Sequence, residues 1–290
     1  MPKIIYKDYI QQLRKRYYKD ITGQESLLKI ISETEVAEQV YNSNAIENST
    51  LTLDETEKIL LKIDLDRYIS QRELFEAKNL AEVVEFTNEN AKKHELDIDM
   101  ILQLHKMLIT GIRDDIAGRF RQAGEFVKVA NHIAPRPDEI EDLMSKMLVE
   151  YNSSTNLSIV ERIARLHLNF ENIHPFVDGN GRIGRVLNNY LLIREGYVPI
   201  NIKHIDRQSY YEAFKEFDLA NDTSVMEDIV AKAITNSYHK RLAYLEGKKI
   251  VTLSEYSKIM NISQSNLLNK AKRQTIEAFL VKGIWKITLD

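Results

Sequence analysis

The sequence predicts a mainly α-helical fold: a helical bundle with one small β-hairpin, followed by a small C-terminal domain that mixes helices and strands. The chain has 290 residues but only 10 glycines and 5 prolines, the residues that most often interrupt helices. Apolar residues also recur at helical spacing over long stretches. The clearest of these stretches are Glu73 to Thr87, Asp97 to Leu108, Asp138 to Tyr151, Val160 to Phe170 and Arg182 to Arg194.

The interval from Gly118 to Pro137 breaks this helical pattern. Within it, Phe126 to Val129 alternates between apolar and polar positions, and the segment from Ala130 to Pro137 that follows carries turn-forming residues. Alternation next to a turn is typical of a short hairpin. We therefore expect a small β-hairpin lying on the helical bundle.

The net charge and the pattern of predicted elements change after about Gly247. Its last 44 residues carry eight basic and three acidic side chains, a net charge of +5, whereas the whole chain has a net charge of −3. Two short helices, Ser254 to Met260 and Ser263 to Lys272, are followed by a hairpin over Phe279 to Ile287 that turns at Lys282-Gly283. This layout resembles a winged-helix module, so we predict a body over residues 1–246 and a winged-helix (α+β) domain over residues 247–290.

Composition excludes several classes of site. The chain has no cysteine, so disulfides, thiolate nucleophiles and cysteine-bound metals are excluded. The charged start, from Met1 to Asp8, does not look like a secretory signal, and no apolar run is long enough to span a bilayer. We expect a cytoplasmic protein with no membrane partner. Because the net charge is near zero, any nucleic-acid binding must come from a local basic patch.

The run from His174 to Arg185 (HPFVDGNGRIGR) concentrates residues suited to phosphate chemistry. Gly179, Asn180 and Gly181 form a turn just before a helical pattern, and the N–H groups of a helix N-terminus favour anions. Arg182 and Arg185 stand three residues apart, on the side of that helix away from its apolar stripe. We expect an anion site at the turn, with both guanidinium groups above it.

His174 and Asp178 supply the remaining chemistry of the run. An imidazole that titrates near neutrality beside a phosphate is suited to act as a general base for a hydroxyl nucleophile. A carboxylate just before the turn is suited to hold a Mg²⁺ that bridges phosphate oxygens. The two side chains therefore predict a base and a metal ligand at one nucleotide site.

This run matches the signature of the Fic family at every specified position: histidine, proline, phenylalanine, any residue, aspartate, glycine, asparagine, glycine, arginine, two residues and arginine. The resemblance extends over roughly residues 30 to 240, with the core at about residues 97–240. It implies a Fic-type helical fold and transfer of AMP from Mg-ATP to a target protein's hydroxyl group. It also implies the individual roles: His174 as base, Asp178 as metal ligand, Gly179, Asn180 and Gly181 as phosphate cradle, and Arg182 and Arg185 as phosphate clamp.

Two further segments resemble parts of the family. The segment Val129, Ala130, Asn131 and His132 resembles the flap, a hairpin that pairs with the target by strand addition. Tyr210, followed by Tyr211, resembles the position that lines the adenine pocket, although a plain core-facing helix position is an equal alternative for both tyrosines. We interpret His105 and His167 as structural, because both lie within helical patterns.

The segment from Ser43 to Asn48 resembles the inhibitory motif of the family. Val36, Val40, Ser43 and Glu47 stand on one helical stripe, so Glu47 should face the protein body, where a carboxylate needs a cationic partner. The resemblance implies that the inhibitory helix covers about residues 33–48 and that Glu47 withholds Arg185 from ATP. Asn48 replaces the commoner glycine at a helix end.

Three interpretations of function follow. The first is an autoinhibited protein adenylyltransferase that modifies a Ser, Thr or Tyr hydroxyl of an unknown target and of itself, and that can form homodimers. The second is a DNA-binding regulator whose body senses nucleotide, with Lys270, Lys272 and Arg273 as phosphate contacts. The third is other chemistry on the same scaffold, such as AMP removal or transfer of a different phosphate-bearing group.

Overall fold

The computed structural model describes residues 3–129 and 132–289. It confirms the predicted mainly helical fold, with twelve α-helices and five short strands in the described ranges. The helices are α1 Lys3–Asp20, α2 Glu25–Ile46, α3 Leu53–Leu60, α4 Gln71–Asn90, α5 Ile98–Ile109, α6 Ile140–Ser153, α7 Ile159–Ile173, α8 Asn180–Arg194, α9 Arg207–Ala220, α10 Ser224–Leu245, α11 Leu253–Ile259 and α12 Gln264–Lys272. The strands are β1 Lys128–Val129, β2 His132–Ile133, β3 Lys249–Thr252, β4 Ala278–Val281 and β5 Ile284–Leu289.

The chain forms two compact units. One is Val36–Val230, and the other combines Met1–Glu35 with Ala231–Asp290, so the limits fall inside α2 and α10. These limits separate the parts of the chain that pack most densely within themselves. The predicted division into a body and a tail at residue 247 stays a prediction. None of the helices in the described ranges is long and apolar enough to cross a membrane.

Helix α8 forms the centre of the unit Val36–Val230. It packs against α4, α5 and α7, and Ile183 and Leu187 are fully buried. Helix α7 begins at a capping box, in which the Ser158 side chain accepts from the Glu161 backbone and Glu161 accepts from the Ser158 backbone. Because α7 and α8 are joined by only six residues, the predicted functional loop lies where the two helices meet.

Helix α2 corrects the predicted inhibitory helix. It begins at Glu25, not near residue 33, and its last residue is Ile46. Asn48 adopts the left-handed conformation with φ 70°. The amides of Asn48 and Ser49 donate to the carbonyls of Ala45 and Asn44. This pairing is the Schellman ending, so Asn48 ends the helix as predicted, and Glu47 is left as the C-cap residue.

The C-terminal segment contains the predicted helix pair and hairpin. Strands β4 and β5 turn at Lys282 and Gly283, whose φ angles are 49° and 76°, as a tight hairpin turn requires. The prediction missed β3, which pairs with β5 to give the antiparallel order β3-β5-β4. Since only Val251 of its four residues is buried, β3 lacks the alternation that reveals a strand. The winged-helix assignment stays a prediction.

Leu187 tests how far the unit depends on α8. Leu187→Ala should lower the free energy of unfolding by about 2–5 kcal/mol, because the side chain is fully buried and its loss leaves a cavity. Thermal or urea unfolding measures this. Val149→Ala, at a position that is 66% exposed, is the matched control and should change stability by less than about 0.5 kcal/mol. Equal losses in the two variants would contradict the central role of α8.

Candidate active site

The six residues that join α7 to α8 carry the first half of the predicted run, and the first six residues of α8 carry the rest. His174 ends α7 in the left-handed conformation with φ 48°, and Gly179 precedes α8 with φ 88°. The backbone angle favours glycine there, and a Cβ atom would in addition lie in tight contact, 3.1 Å from Ile109 Cδ1. The chain thus reverses direction sharply, and His174 comes to lie near the N-terminus of α8.

His174 is held as a neutral imidazole. Its Nδ1 lies 3.3 Å from the Glu171 carbonyl oxygen, which can only accept, so the proton belongs on Nδ1 and Nε2 is left as the basic nitrogen. Burial lowers the pKa of His174 to about 4. Arg121 Nε donates to the His174 carbonyl oxygen over 2.8 Å and fixes the backbone. At neutral pH this side chain is therefore able to accept a proton.

Two buried side chains brace the loop from behind. Asn180 Oδ1 accepts from the Phe176 amide over 2.9 Å, and Asn180 Nδ2 donates to the Phe176 carbonyl over 2.8 Å. His105 stacks on the Phe176 ring at 3.7 Å and contacts the Asp178 carbonyl oxygen through Nε2 at 3.0 Å. The Asn180 side chain is thus committed to the loop, and His105 is structural as predicted.

Asp178 lies in a network of alternating charge. Arg182 Nη2 donates to one carboxylate oxygen over 3.0 Å, and Arg72 Nη2 donates to the other over 2.9 Å. Glu76 binds both arginines, at 3.3 Å from Arg182 and 3.0 Å from Arg72. Burial alone would raise the pKa of Asp178, but Arg182 and Arg72 outweigh it, and the pKa lies below its usual value. Asp178 is therefore ionised at neutral pH.

Arg185 is buried and surrounded by oxygen acceptors. Its Nη2 donates to Glu47 Oε1 over 2.8 Å and to the Ser43 carbonyl over 2.9 Å. Its Nε donates to Ser43 Oγ over 2.9 Å, and its Nη1 donates to the Tyr210 hydroxyl over 3.1 Å. The predicted pairing of Glu47 with Arg185 is therefore present, and all three guanidinium nitrogens have partners.

The expected positions of the two arginines need a correction. The residues are only 4% and 7% exposed, and each is paired with a different set of carboxylates. The sequence suggested an arginine face open above the anion site. Burial of both side chains requires oxygen acceptors for each, because an unpaired guanidinium is costly away from water.

Glu47 also differs from expectation. Its side chain is 37% exposed, so it lies at the rim of the site instead of on a fully buried stripe. A Cβ atom on Gly181 would lie only 2.2 Å from Glu47 Oε1. Gly181 is therefore needed for this close approach and not for a positive φ angle, since it lies inside the helical first turn of α8.

Tyr210 lies in the core, which is one of the two alternatives that the sequence left open. It is 2% exposed, its hydroxyl accepts from Arg185 Nη1, and the same hydroxyl lies 2.7 Å from His167 Nε2. A side chain this buried has no face open to a nucleotide base. The neighbouring Tyr211 is 40% exposed and has that freedom. His167 is fully buried, with its pKa lowered to about 3 by burial, and is structural as predicted.

The predicted flap is described in part. Lys128 and Val129 pair with Ile133 and His132 in an antiparallel hairpin, and Ala130 and Asn131 lie outside the described residues. His132 Nε2 lies 2.8 Å from the Asn172 carbonyl oxygen, which ties the hairpin to the end of α7. Two apolar side chains at the hairpin are exposed, Phe126 just before β1 at 70% and Ile133 on β2 at 72%.

Several residues of the site were missed from the sequence. Arg121 was missed because its partners are backbone carbonyls, including those of Pro135 and His174, and carbonyls leave no sequence signal. Arg72 lies about a hundred positions before Asp178 in the chain. Glu171 could have been noticed, since it stands three residues before His174, one helical turn away.

The contacts of Arg185 lead to a stability prediction. Glu47→Gln should cost about 1 kcal/mol or less, because the carboxylate is partly exposed and solvent replaces it. Ser43→Ala should cost more, about 1–3 kcal/mol, because it leaves a buried guanidinium N–H without an acceptor. Chemical denaturation of both variants measures the difference. A larger loss in Glu47→Gln would show that the ion pair, and not the hydroxyl, satisfies Arg185.

Comparison with known proteins agrees with this geometry. Residues 95–192 match the family described as Fic/DOC. The chain is 31% identical over 210 residues to "Protein adenylyltransferase Fic" of Nematostella vectensis, covering 71% of this chain and 48% of that protein. It is 32% identical over 233 residues to the protein of that name from Drosophila melanogaster, covering 75% and 46%. The chain thus spans about half the length of these relatives.

Solved structures show the same fold. A Fic-domain-containing signaling protein from Bacteroides thetaiotaomicron has a TM-score of 0.75 and 25% identity, covering 83% of this chain and 97% of that one. Fic-1 (residues 134–508) from C. elegans has a TM-score of 0.72 and 26% identity, covering 82% and 70%. Together with the intact run from His174 to Arg185, these likenesses show that the chain belongs to the Fic/DOC family.

Proposed function

We propose that this chain is a protein adenylyltransferase, which transfers AMP from ATP to a hydroxyl side chain of a target protein and of itself and releases pyrophosphate. The observation that carries the proposal is the joint between α7 and α8, where a neutral imidazole, an ionised carboxylate and a helix N-terminus lie together. Relatives that carry the name "Protein adenylyltransferase Fic" support it.

His174 acts as the general base. Its Nε2 accepts the hydroxyl proton while the hydroxyl oxygen forms a bond to the α-phosphorus of ATP. The bond between that phosphorus and the bridging oxygen breaks, and pyrophosphate leaves with the electron pair. The neutral state of the imidazole, held by the Nδ1 contact to the Glu171 carbonyl, is the state that this step needs.

The N-terminus of α8 binds the phosphates. The backbone of Gly179, Asn180 and Gly181 presents N–H groups at the positive end of the helix dipole. Arg182 and Arg185 then neutralise charge on the β- and γ-phosphates, which is the main requirement of nucleotidyl transfer. Arg182 Nε is buried and has no partner among the described residues, so an incoming phosphate oxygen would satisfy it.

The residues present fit a Mg²⁺ ion delivered with ATP. Asp178 is an ionised carboxylate whose side chain is 28% exposed, and Mg²⁺ commonly uses one carboxylate with phosphate oxygens and waters. No cluster of three or more acidic, His or Cys side chains in the described ranges could hold a metal alone. Bound by Asp178, the ion would neutralise charge on the phosphates.

The hairpin β1-β2 positions the target. Its short strands and the exposed side chains of Phe126 and Ile133 suit an extended segment that adds to the sheet edge and packs on apolar neighbours. Such pairing places a Ser, Thr or Tyr hydroxyl by main-chain hydrogen bonds. It therefore sets the position of the acceptor without reading its full sequence.

Glu47 keeps the enzyme inactive. In the described state its carboxylate occupies Arg185 Nη2 and lies against Gly181, where the phosphates would approach. Two negative groups cannot share this place without strong repulsion, so Mg-ATP binds productively only after Glu47 withdraws. Ser43 holds Arg185 on the same side and completes the inhibitory contact.

The same scaffold could also remove AMP or transfer another phosphate-bearing group, which mass spectrometry of the product distinguishes.

A second candidate function, DNA binding, is favoured by the surface of α12. Its exposed side chains are amides and hydroxyls at the start of the helix and cations at the end: Gln264, Ser265, Asn266, Asn269, Lys270, Lys272 and, at the C-cap, Arg273. Asn and Gln suit the edge of adenine in the major groove, and Lys and Arg suit phosphates. The body would then sense nucleotide for a DNA-bound regulator.

Autoinhibition predicts the behaviour of two variants. Glu47→Gly should raise incorporation of AMP from α-labelled ATP about tenfold or more, because Arg185 becomes available to phosphate. His174→Ala should abolish labelling in the native and Glu47→Gly backgrounds. The labelled residue and the mass of the adduct are read by mass spectrometry. Unchanged labelling in Glu47→Gly would contradict the inhibitory role of Glu47. Labelling that survives His174→Ala would contradict the role of His174 as the general base.

The DNA hypothesis has its own test on the whole chain. Fluorescence anisotropy over a salt series should show binding that survives His174→Ala. Lys272→Ala should weaken binding to all sequences and lower, by about 1, the slope of the logarithm of the binding constant against the logarithm of the salt concentration. Asn266→Ala should lower the binding free energy by about 1–3 kcal/mol on the preferred sequence alone. Binding that is absent at low salt would reject DNA as a partner.

A further inference from the structure

Glu171 is a buried carboxyl group beside the base that the proposed reaction does not use. It lies in the last turn of α7, and its side chain is 12% exposed. Its Oε2 lies 3.8 Å from His174 Nδ1, while its Oε1 is buried with no hydrogen-bond partner among the described residues. A buried, half-satisfied carboxyl group is costly, so its place next to the base calls for a physical explanation.

Gly184 of α8 creates the space that Glu171 occupies. A Cβ atom on Gly184 would lie 2.7 Å from Glu171 Oε1 and 3.0 Å from His167 Cε1. Any side chain at position 184 would therefore displace the carboxyl group. The close approach of α7 and α8 thus holds Glu171 in one place, against His174 on one side and α8 on the other.

We propose that Glu171 is a positioning residue for His174: as a carboxylate it favours the Nδ1–H tautomer and stabilises the imidazolium that forms when Nε2 takes the hydroxyl proton. The proposal deepens the proposed function, since it rests on His174 as the base. The 3.8 Å distance is longer than a hydrogen bond, but a small turn of either side chain would close it.

The charged and titratable groups around Glu171 link it to the inhibitory contact. They are His167 on α7, His174 after it, Glu47 after α2, Arg185 on α8 and Tyr210 on α9. Burial and the charge of Glu47 raise the pKa of Glu171 to about 8, and Arg185 opposes them. While Glu47 is in place, Glu171 is therefore largely protonated at neutral pH and cannot stabilise a cation on His174.

Withdrawal of Glu47 changes this balance. The negative charge that raises the pKa of Glu171 is removed, and Arg185 is no longer neutralised by a carboxylate. In the chain without ATP, Glu171 then ionises at lower pH and favours the Nδ1–H tautomer that His174 needs to accept a proton at Nε2. Arg121 and His132 lower the pKa of His174 and Glu47 raises it, so an ionised Glu171 would take over the support that Glu47 gives the imidazolium in the described state. Release of Glu47 would thus free Arg185 for phosphate and let Glu171 ionise in one event.

The pH dependence of self-labelling with AMP tests this link. In the native chain the residual rate should rise with pH through about 8, as Glu171 loses its proton. In Glu47→Gly the midpoint should move to lower pH. In the Glu47→Gly background, Glu171→Gln should abolish the rise of the rate with pH and lower the rate at high pH about tenfold or more. Glu171→Asp should restore part of the rise and part of the rate. Glu85→Gln, an exposed charge change on α4, should alter neither.

A readout that needs no turnover separates this inference from the proposed function. Nitrogen chemical shifts of labelled His174 should show the Nδ1–H tautomer and a step as Glu171 titrates, and Glu171→Gln should remove that step. If no variant transfers AMP while this coupling is present, the proposed function fails and the coupling stands. If His174 titrates identically with and without Glu171 and the pH–rate profile is unchanged, the positioning role is overturned.

Discussion

The buried guanidinium of Arg185 is the constraint on which the site depends. An arginine side chain cannot lose its proton in a protein, so a position that is 7% exposed must supply acceptors from the surrounding chain. Those acceptors come from two other parts of the chain: Ser43 on α2 and Glu47 just after that helix supply three of the contacts, and Tyr210 on α9 supplies the fourth. Satisfying one charge therefore fixes the relative positions of α2, α8 and α9 around the turn that we propose binds phosphate.

The same principle orders the other side of the site. Arg182 is paired with Asp178 and Glu76, and Arg72 joins them from the first turn of α4. In this state both arginines of the predicted run, Arg182 and Arg185, are paired with carboxylates of the chain itself. Anionic side chains hold the cations in place until an anionic ligand replaces them, which gives the proposed inhibition by Glu47 a direct electrostatic basis.

Most of the fold and the core of the site could be predicted from the sequence. The helices α4 to α8 follow regular apolar spacing, and the observed ends lie within a few residues of the predicted ones. Strand β3 and the early start of α2 could not be predicted in this way, because neither has a strong periodic pattern. Local turn chemistry was predictable as well: Asn48 and Gly179 both adopt the positive φ angles that their residue types favour.

The sequence by itself determined the chemical groups of the site and their order around one turn, because the base, carboxylate, glycines and arginines lie within twelve consecutive residues. The tertiary structure alone decided which partner each group meets. Burial, not spacing, turned the two arginines away from solvent, committed Tyr210 to Arg185 and left Tyr211 exposed. It also placed the Glu171 carboxyl against His174, since that contact depends on the close packing of α7 and α8 at Gly184. Such contacts join residues far apart in the chain, and no local pattern records them.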